Sequence, residues 1–343
     1  MSKTFRAIFI GDLHLDKLSN LFPYDHLDLQ FQEIEKVCNY AIKNGYDRII
    51  FLGDIGEHTR LSYDSLCYFI KFLSKWDSHL FIDIILGNHD FAENGIHSLQ
   101  PFVSWQDQGF YKNIKIYDKQ KLVEINGVPI NYSSYPSTKG YDNAINIGHF
   151  EVSGSTRDNG MVIKKSHEVN ENHLWVMGHL HTPHRVNLVN FCGTLYQLNF
   201  GESLPKGFLT IEAKLSNGKL KYKIKHIENE PTFKLINLTV NSKSDLKEIE
   251  NNPLYKYRLL VKSSFDLPDN LAERYKNVVK IEGYSNKKEL KALEDSSFFE
   301  ISAQNIELPS NNELLKKFFK SKNYPKDYYR KAVKLIEGLS NVS

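Results

Sequence analysis

The sequence predicts an α/β protein: a two-sheet sandwich flanked by helices, a small α/β domain after it, and amphipathic helices at the C-terminus. Three observations carry this expectation. As far as Asp90, short and nearly continuous apolar runs alternate with segments of helical period, the pattern of parallel strands buried on both faces. Beyond that point come short strands, two pairs of which meet at Asn126-Gly127 and Asn217-Gly218, dipeptides that favour tight hairpins. Finally, five of the apolar runs end in glycine followed at once by Asp, Asn or His. In α/β sheets ligands gather beyond the carboxyl ends of the strands.

Phe5 to Ile10 reads as the first strand and ends in Gly11-Asp12-Leu13-His14. Leu27 to Asn44 carries apolar residues at helical spacing (Leu27, Phe31, Ile34, Val37, Cys38, Ala41, Ile42), and Gly45 suits the C′ position. Arg48 to Leu52 is a second buried strand ending in Gly53-Asp54. A helix from about Ser62 to Trp76 leads to a third strand and Gly87-Asn88-His89-Asp90, where Gly87 is expected to let the backbone turn. Ile114 to Tyr117, Leu122 to Ile125 and Val128 to Tyr132 follow as strands. Ala144 to Ile147 runs into Gly148-His149, and Leu174 to Met177 into Gly178-His179-Leu180-His181. Arg185 to Phe191, Gly207 to Ala213 and Leu220 to Ile227 complete the set. Two packed sheets with helices outside account for this order.

The pattern pauses near Glu228 to Pro231. From Phe233 it alternates strand, helix (Asp245 to Glu250), strand (Tyr257 to Val261), helix (near Leu267 to Tyr275) and strand (Val278 to Ile281). The boundaries are therefore placed at 1–228 for the main domain, 229–305 for a small α/β domain and 306–343 for a helical segment. In the last, Leu314, Leu315, Phe318 and Phe319 form one apolar stripe, and Tyr328, Ala332, Leu335, Ile336 and Leu339 another.

Composition narrows the class. Hydrophobic residues make up 41% and charged residues 25%, ordinary for a globular protein. A net charge of +3 is too small to name a nucleic-acid partner, so any such contact must come from local patches. The three cysteines, Cys38, Cys67 and Cys192, are widely spaced in apolar surroundings and are expected to be buried free thiols. No apolar run approaches the roughly 20 residues of a membrane span, and the N-terminus lacks the apolar region of a signal peptide. A cytoplasmic protein without membrane contact is the expectation.

The strand-end groups are Asp12, His14, Asp54, Asn88, His89, His149, His179 and His181. Imidazole nitrogens and carboxylate oxygens without thiolates suit Mn2+, Fe2+, Zn2+ or similar ions better than a structural cysteine site. Residues i and i+2 of an extended end point the same way, so Asp12 with His14, and His179 with His181, can each aim into one cavity. The set is too large for one ion and suits two ions sharing a carboxylate, an arrangement used for in-line displacement at phosphorus.

Asp-x-His, Gly-Asp, Gly-Asn-His-Asp, Gly-His and Gly-His-x-His, in this order over roughly residues 5 to 200, resemble the calcineurin-like metallophosphoesterases. The resemblance implies two divalent ions, Mn2+ first among the candidates. Asp12, His14, Asp54 and His181 would hold one, and Asp54, Asn88, His149 and His179 the other, with Asp54 bridging. It implies catalytic roles for His89, which contacts phosphate and protonates the leaving oxygen, and for Asp90, which orients the His89 ring. Within that superfamily, Gly178-His179-Leu180-His181-Thr182-Pro183 followed by Cys192-Gly193-Thr194 and Phe200-Gly201-Glu202 is similar to the SbcD-type DNA repair nucleases, as is His149-Phe150-Glu151-Val152-Ser153-Gly154. Phage and bacterial members are the nearest in domain plan. That likeness implies a nuclease domain, a capping domain that binds DNA, and C-terminal helices that bind an SbcC-type ATPase. DNA ends and single strands are the implied substrates, in a homodimer. One departure stands out: archaeal and eukaryotic members place a His three residues after the bridging Asp, where this chain has Glu57, with His58 next to it. Glu57 reads as a solvated loop residue. Two alternatives stay open on the residues alone: a phosphodiesterase for nucleotides or small molecules on the same scaffold, and an assembly subunit that is mainly non-enzymatic.

Overall fold

Strands β1 (Phe5–Ile10) and β2 (Arg48–Leu52) pair in parallel at the centre of the first sheet in a computed structural model of the chain. The structure describes residues 4–283 except 93–94, 171, 203, 263–266 and 269, all within one compact unit, Met1–Phe299. The helical stripes expected over 306–343 lie outside the described residues.

Between these strands runs α1 (His26–Lys43), followed by Gly45 at φ +68°, the left-handed position that suits glycine. Helix α2 (Tyr63–Trp76) starts at Ser62, whose Oγ accepts from the Ser65 N–H at 3.1 Å. Strand β3 (Phe81–Ile85), a short helix α3 (Gln100–Asp107) and β4 (Ile114–Tyr117) follow. The sequence reading missed α3, which is too short to display a period and buries only Phe102 and Val103.

The second sheet begins with β5 (Lys121–Ile125), β6 (Val128–Ser133), β7 (Ile145–Gly148) and β8 (Leu174–Met177). The single strand expected over 185–191 is instead a hairpin of β9 (His184–Val186) and β10 (Val189–Phe191), reversed at Asn187 with φ +52°. The chain then returns to the first sheet as β11 (Lys206–Ser216) and β12 (Lys219–Asn229), turning at Asn217 and Gly218, both with positive φ. The resulting orders are β12-β11-β1-β2-β3-β4 and β5-β6-β7-β8-β10-β9, six strands each.

Alternation along the strands builds two apolar layers. Ile8, Ile10, Ile49, Phe51, Ile82 and Ile84 face Phe31, Ile34 and Val37 of α1 and Phe69, Phe72 and Leu73 of α2. Their neighbours Ala7, Phe9, Ile50 and Leu52 face Ile130, Tyr132, Ile145, Ile147 and Val176 of the second sheet. Each such side chain contributes about 1.5–3 kcal/mol on burial. Asp83 is the polar exception in β3: Arg48 Nη1 lies 2.5 Å from its Oδ2, and the Tyr132 hydroxyl donates to the same oxygen. Among the described residues, helices of the sandwich cover the first of its two sheets. On the outer face of the second, Phe150, Val152 and Ile163 of the irregular segment after β7 pack on Trp175, Met177 and Phe191.

The third sheet is β13 (Lys234–Val240), β14 (Tyr255–Val261) and β15 (Val278–Glu282), parallel throughout, with a core of its own around Leu238, Tyr257, Leu259 and Val278. Its two expected helices shrink to a 3-10 turn at Asp245–Glu248 and one turn, α4 (Leu271–Arg274). Phe233 and Leu235 belong to the core beneath α1, and Thr232 donates its N–H and hydroxyl to Glu33 at 2.9 and 2.7 Å. Among the described residues no helix is long and apolar enough to cross a membrane.

Candidate metal centre

The carboxyl ends of β1, β2, β3, β7 and β8 meet at one edge of the sandwich, and every residue expected in the site is there. The loops interlock through the backbone: the N–H groups of Leu13 and His14 both donate to the Asp54 carbonyl at 3.0 Å. His14, Asp54 and His179 adopt left-handed backbone conformations (φ +44°, +48° and +78°), sparsely used by residues with a Cβ and common where a side chain must be aimed.

Gly87 serves a different purpose from the expected one. Gly53 has φ +93°, but Gly87 has no positive φ. A Cβ on Gly87 would stand 2.1 Å from Asp54 Oδ1 and 2.6 Å from His149 Cε1. What the glycine supplies here is room for two strand ends to approach.

Asp54 stands between two groups of donors. Its Oδ2 lies 3.7 Å from His14 Nε2 on one side and 3.2 Å from His149 Nε2 on the other. Donor atoms of Asp12, His14 and Asp54 fall within 4.8 Å of one another, as do those of Asp54, His149 and His179. Asn88 Oδ1 joins the second group at 3.1 Å from His149 Nε2 and 2.8 Å from His179 Nδ1. The His181 ring joins the first, its centroid 5.1 Å from that of His14.

The donor chemistry fits divalent ions. His149 Nδ1 donates to the Leu52 carbonyl at 2.7 Å, which turns the Nε2 lone pair toward the oxygens of Asp54 and Asn88. Although burial favours its neutral ring, Asp54 and Asp12 push the His149 imidazole up to about 9. Burial likewise opposes the Asp54 charge, yet His149, His14 and His89 hold its pKa well below the carboxylate range. Burial and the neighbouring His149 bring His179 down to about 4. His14, 3% exposed, has no hydrogen bond on either ring nitrogen. Mutually facing nitrogen and oxygen acceptors, without thiolates, suit ions such as Mn2+ or Zn2+.

Two expectations need correction. Asp90 does not orient the His89 ring. Its carboxylate accepts from Gly87 N (2.9 Å), Ile55 N (3.2 Å) and Ser98 Oγ (3.0 Å), tying the loops after β2 and β3 together. Burial and the nearby Asp54 charge raise Asp90 to about 6. The His89 ring is held by the Glu57 carbonyl, 2.9 Å from Nδ1, while the His89 backbone N–H donates to Asp54 Oδ1 at 2.9 Å. Nor is Glu57 a solvated loop residue. Its Oε2 lies 2.9 Å from His14 Nδ1 and its Oε1 2.5 Å from Lys17 Nζ. Although burial opposes it, these two partners bring Glu57 down to about 2. His58, next in line, is exposed.

Sequence reasoning also assigned no role to Glu202, Lys206 and Asp158. His181 Nδ1 sits 3.0 Å from Glu202 Oε1 and 3.2 Å from Asp158 Oδ2. Burial favours the neutral ring, but these carboxylates push His181 up to about 10. The Phe-Gly-Glu triplet was the available signal for Glu202; the spacing carried none for the other two.

Two sheets whose strand ends pool carboxylates and imidazoles around one shared aspartate define a metal-dependent phosphoester hydrolase. Residues 5–183 match the family model of the calcineurin-like phosphoesterases, more than half of the chain, and the chain belongs to that family. A comparison with curated proteins found no match. The family match ends at Pro183, before Glu202 and Lys206.

Proposed function

We propose that the chain is a Mn2+-dependent DNA nuclease of the SbcD type, acting on duplex ends and single strands together with an SbcC-type ATPase. The observation that carries this reading is the anchorage of the third sheet at the rim of the centre. Asn237 Nδ2 and Arg258 Nη2 both donate to the Phe200 carbonyl, at 2.7 and 3.1 Å, two residues before the Glu202 that holds His181. A separate sheet fixed beside the site suits a polymer that extends past the scissile bond, and a small phosphodiester has no use for it. The motif order around His149, His179 and Glu202 supports the same assignment.

In this reading Asp12, His14, Asp54 and His181 hold one ion, and Asp54, Asn88, His149 and His179 the other. When bound, such ions supply Lewis acidity and a nucleophilic water at neutral pH. The chain's own residues do the rest. His89, its Nδ1 fixed on the Glu57 carbonyl, presents Nε2 to the phosphate and donates a proton to the leaving oxygen. Asp90 keeps that loop seated on Gly87 and Ile55.

The test is cleavage of linear duplex and single-stranded DNA by the purified chain in Mn2+, Mg2+ or EDTA, beside a small chromogenic phosphodiester. Mn2+-dependent cleavage of DNA is expected. Turnover of the small diester with DNA left intact would favour a small-molecule phosphodiesterase.

A further inference from the structure

Each of the two histidines on the Asp12 side of the centre has a lysine-paired glutamate within 3.0 Å of its Nδ1. Behind His181, Glu202 places Oε1 3.0 Å from Nδ1 and Oε2 2.7 Å from Lys206 Nζ, with both acid and lysine side chains fully buried. Behind His14, Glu57 places Oε2 2.9 Å from Nδ1 and Oε1 2.5 Å from Lys17 Nζ. Each is a lysine–carboxylate–imidazole chain that meets the ring at Nδ1, and for His14 it is the other nitrogen, Nε2, that faces Asp54. Glu202 is fixed further by the Leu198 N–H at 3.0 Å and Asn199 Nδ2 at 2.9 Å.

The other half is backed differently. His149 Nδ1 donates to a neutral carbonyl, that of Leu52, at 2.7 Å, and the nearest carboxylate oxygen behind it, Asp12 Oδ1, stands off at 3.5 Å. Behind the His179 ring, Glu151 Oε1 is 3.8 Å from Nε2, and Glu151 is already gripped by Arg157 at 2.8 and 2.9 Å. Asn88 brings no charge, whereas the first half has Asp12 in addition to the shared Asp54.

A carboxylate on the far nitrogen of a ligating histidine fixes its tautomer and orientation and raises its basicity, and losing one costs 10–100-fold in metal affinity. We propose that Glu57 and Glu202 are positioning residues that make the Asp12–His14–Asp54–His181 half the tighter of two divalent-ion sites, leaving the Asp54–Asn88–His149–His179 half weaker and exchangeable. The inference rests on reading these seven residues as ion ligands and needs nothing from the choice of substrate. Glu57 meets His14 at close range but off the line of a hydrogen bond, since both atoms lack one. Its support is therefore the weaker of the two.

The test is Mn2+ binding to the purified full-length chain without nucleic acid, by equilibrium dialysis with free Mn2+ read by electron paramagnetic resonance. Two classes of site at least about tenfold apart are expected. Glu202→Gln weakens the tight class about 10–100-fold and Glu57→Gln weakens it less, both sparing the weak class; a merely structural lesion lowers both classes together. His149→Ala removes the weak class alone, and Glu151→Gln leaves the tight class unchanged. If Glu202→Gln fails to fold by circular dichroism, Glu57→Gln decides. Wild-type tight binding in the folded variants, a single class of equal sites, or loss confined to the weak class would overturn the proposal. Wild-type chain that binds no Mn2+ would overturn the ligand assignment and this proposal with it. Two intact classes without DNA cleavage would defeat only the nuclease reading.

Discussion

His149 Nδ1 lies 2.7 Å from the carbonyl oxygen of Leu52, joining the end of β7 in one sheet to the end of β2 in the other. This hydrogen bond, with that of the His179 N–H on Asp12, ties the two sheets at the edge that holds the site, and it fixes the ring nitrogen that faces Asp54. Sheet packing and ligand geometry are the same problem here, and several consequences can be measured.

Asp54→Ala removes the oxygen between the two groups of histidines. Bound metal and phosphodiesterase activity are expected to fall together, read by elemental analysis beside a turnover assay. A variant retaining two ions and full activity would show that Asp54 is not shared.

His89→Gln keeps the side-chain size and removes the titratable ring. Metal content should stay at the wild-type level while turnover drops by about 10²–10⁴-fold. Loss of an ion from this variant would make His89 a ligand instead of an acid.

Gly87→Ala tests the close approach of the strand ends. The new methyl would stand 2.1 Å from Asp54 Oδ1, so the carboxylate must move. Metal affinity is expected to fall in a protein that still folds; unchanged affinity would mean that the loop yields freely.

Asp83→Ala leaves the Arg48 guanidinium without its carboxylate between the sheets, where Tyr132 also loses its acceptor. Breaking a buried pair from one side costs about 3–5 kcal/mol, measurable by urea unfolding of the metal-free chain. A loss below about 1 kcal/mol would place this pair with exposed ion pairs in strength.

Deletion from Ser310 onward removes the stripes Leu314, Leu315, Phe318, Phe319 and Tyr328, Ala332, Leu335, Ile336, Leu339. Their residues lie outside the described part of the chain, and the expectation rests on their spacing alone. The truncated chain should keep Mn2+-dependent cleavage of single strands and lose co-purification with an SbcC-type ATPase. Retained ATPase binding would refute the assignment of the tail.

Several elements were legible because their signals are local. The bounds of β1 and β2 follow from continuous apolar runs between polar ends; Ser62 marks a helix start by its capping hydroxyl, and Gly45 a helix end by its left-handed backbone. The hairpin over His184–Phe191 was not legible: three-residue strands are too short to display an alternation, and Asn187 lacks the following glycine that marked the other turns.

The sequence by itself determined that Asp12, His14, Asp54, Asn88, His89, His149, His179 and His181 would sit together. Each follows a buried apolar strand, and parallel strands of a sheet end at one edge; the packing of the two sheets then brought the two sets of ends together. Only the tertiary structure decided what stands behind them: Glu57 joining Lys17 across 40 residues, Glu202 reaching His181 across 21, and Asp90 tying loops where it was expected to aim a ring. No repeat or spacing encodes those contacts. They form because two sheets and three loops close around buried charge, and each carboxylate there must find a donor.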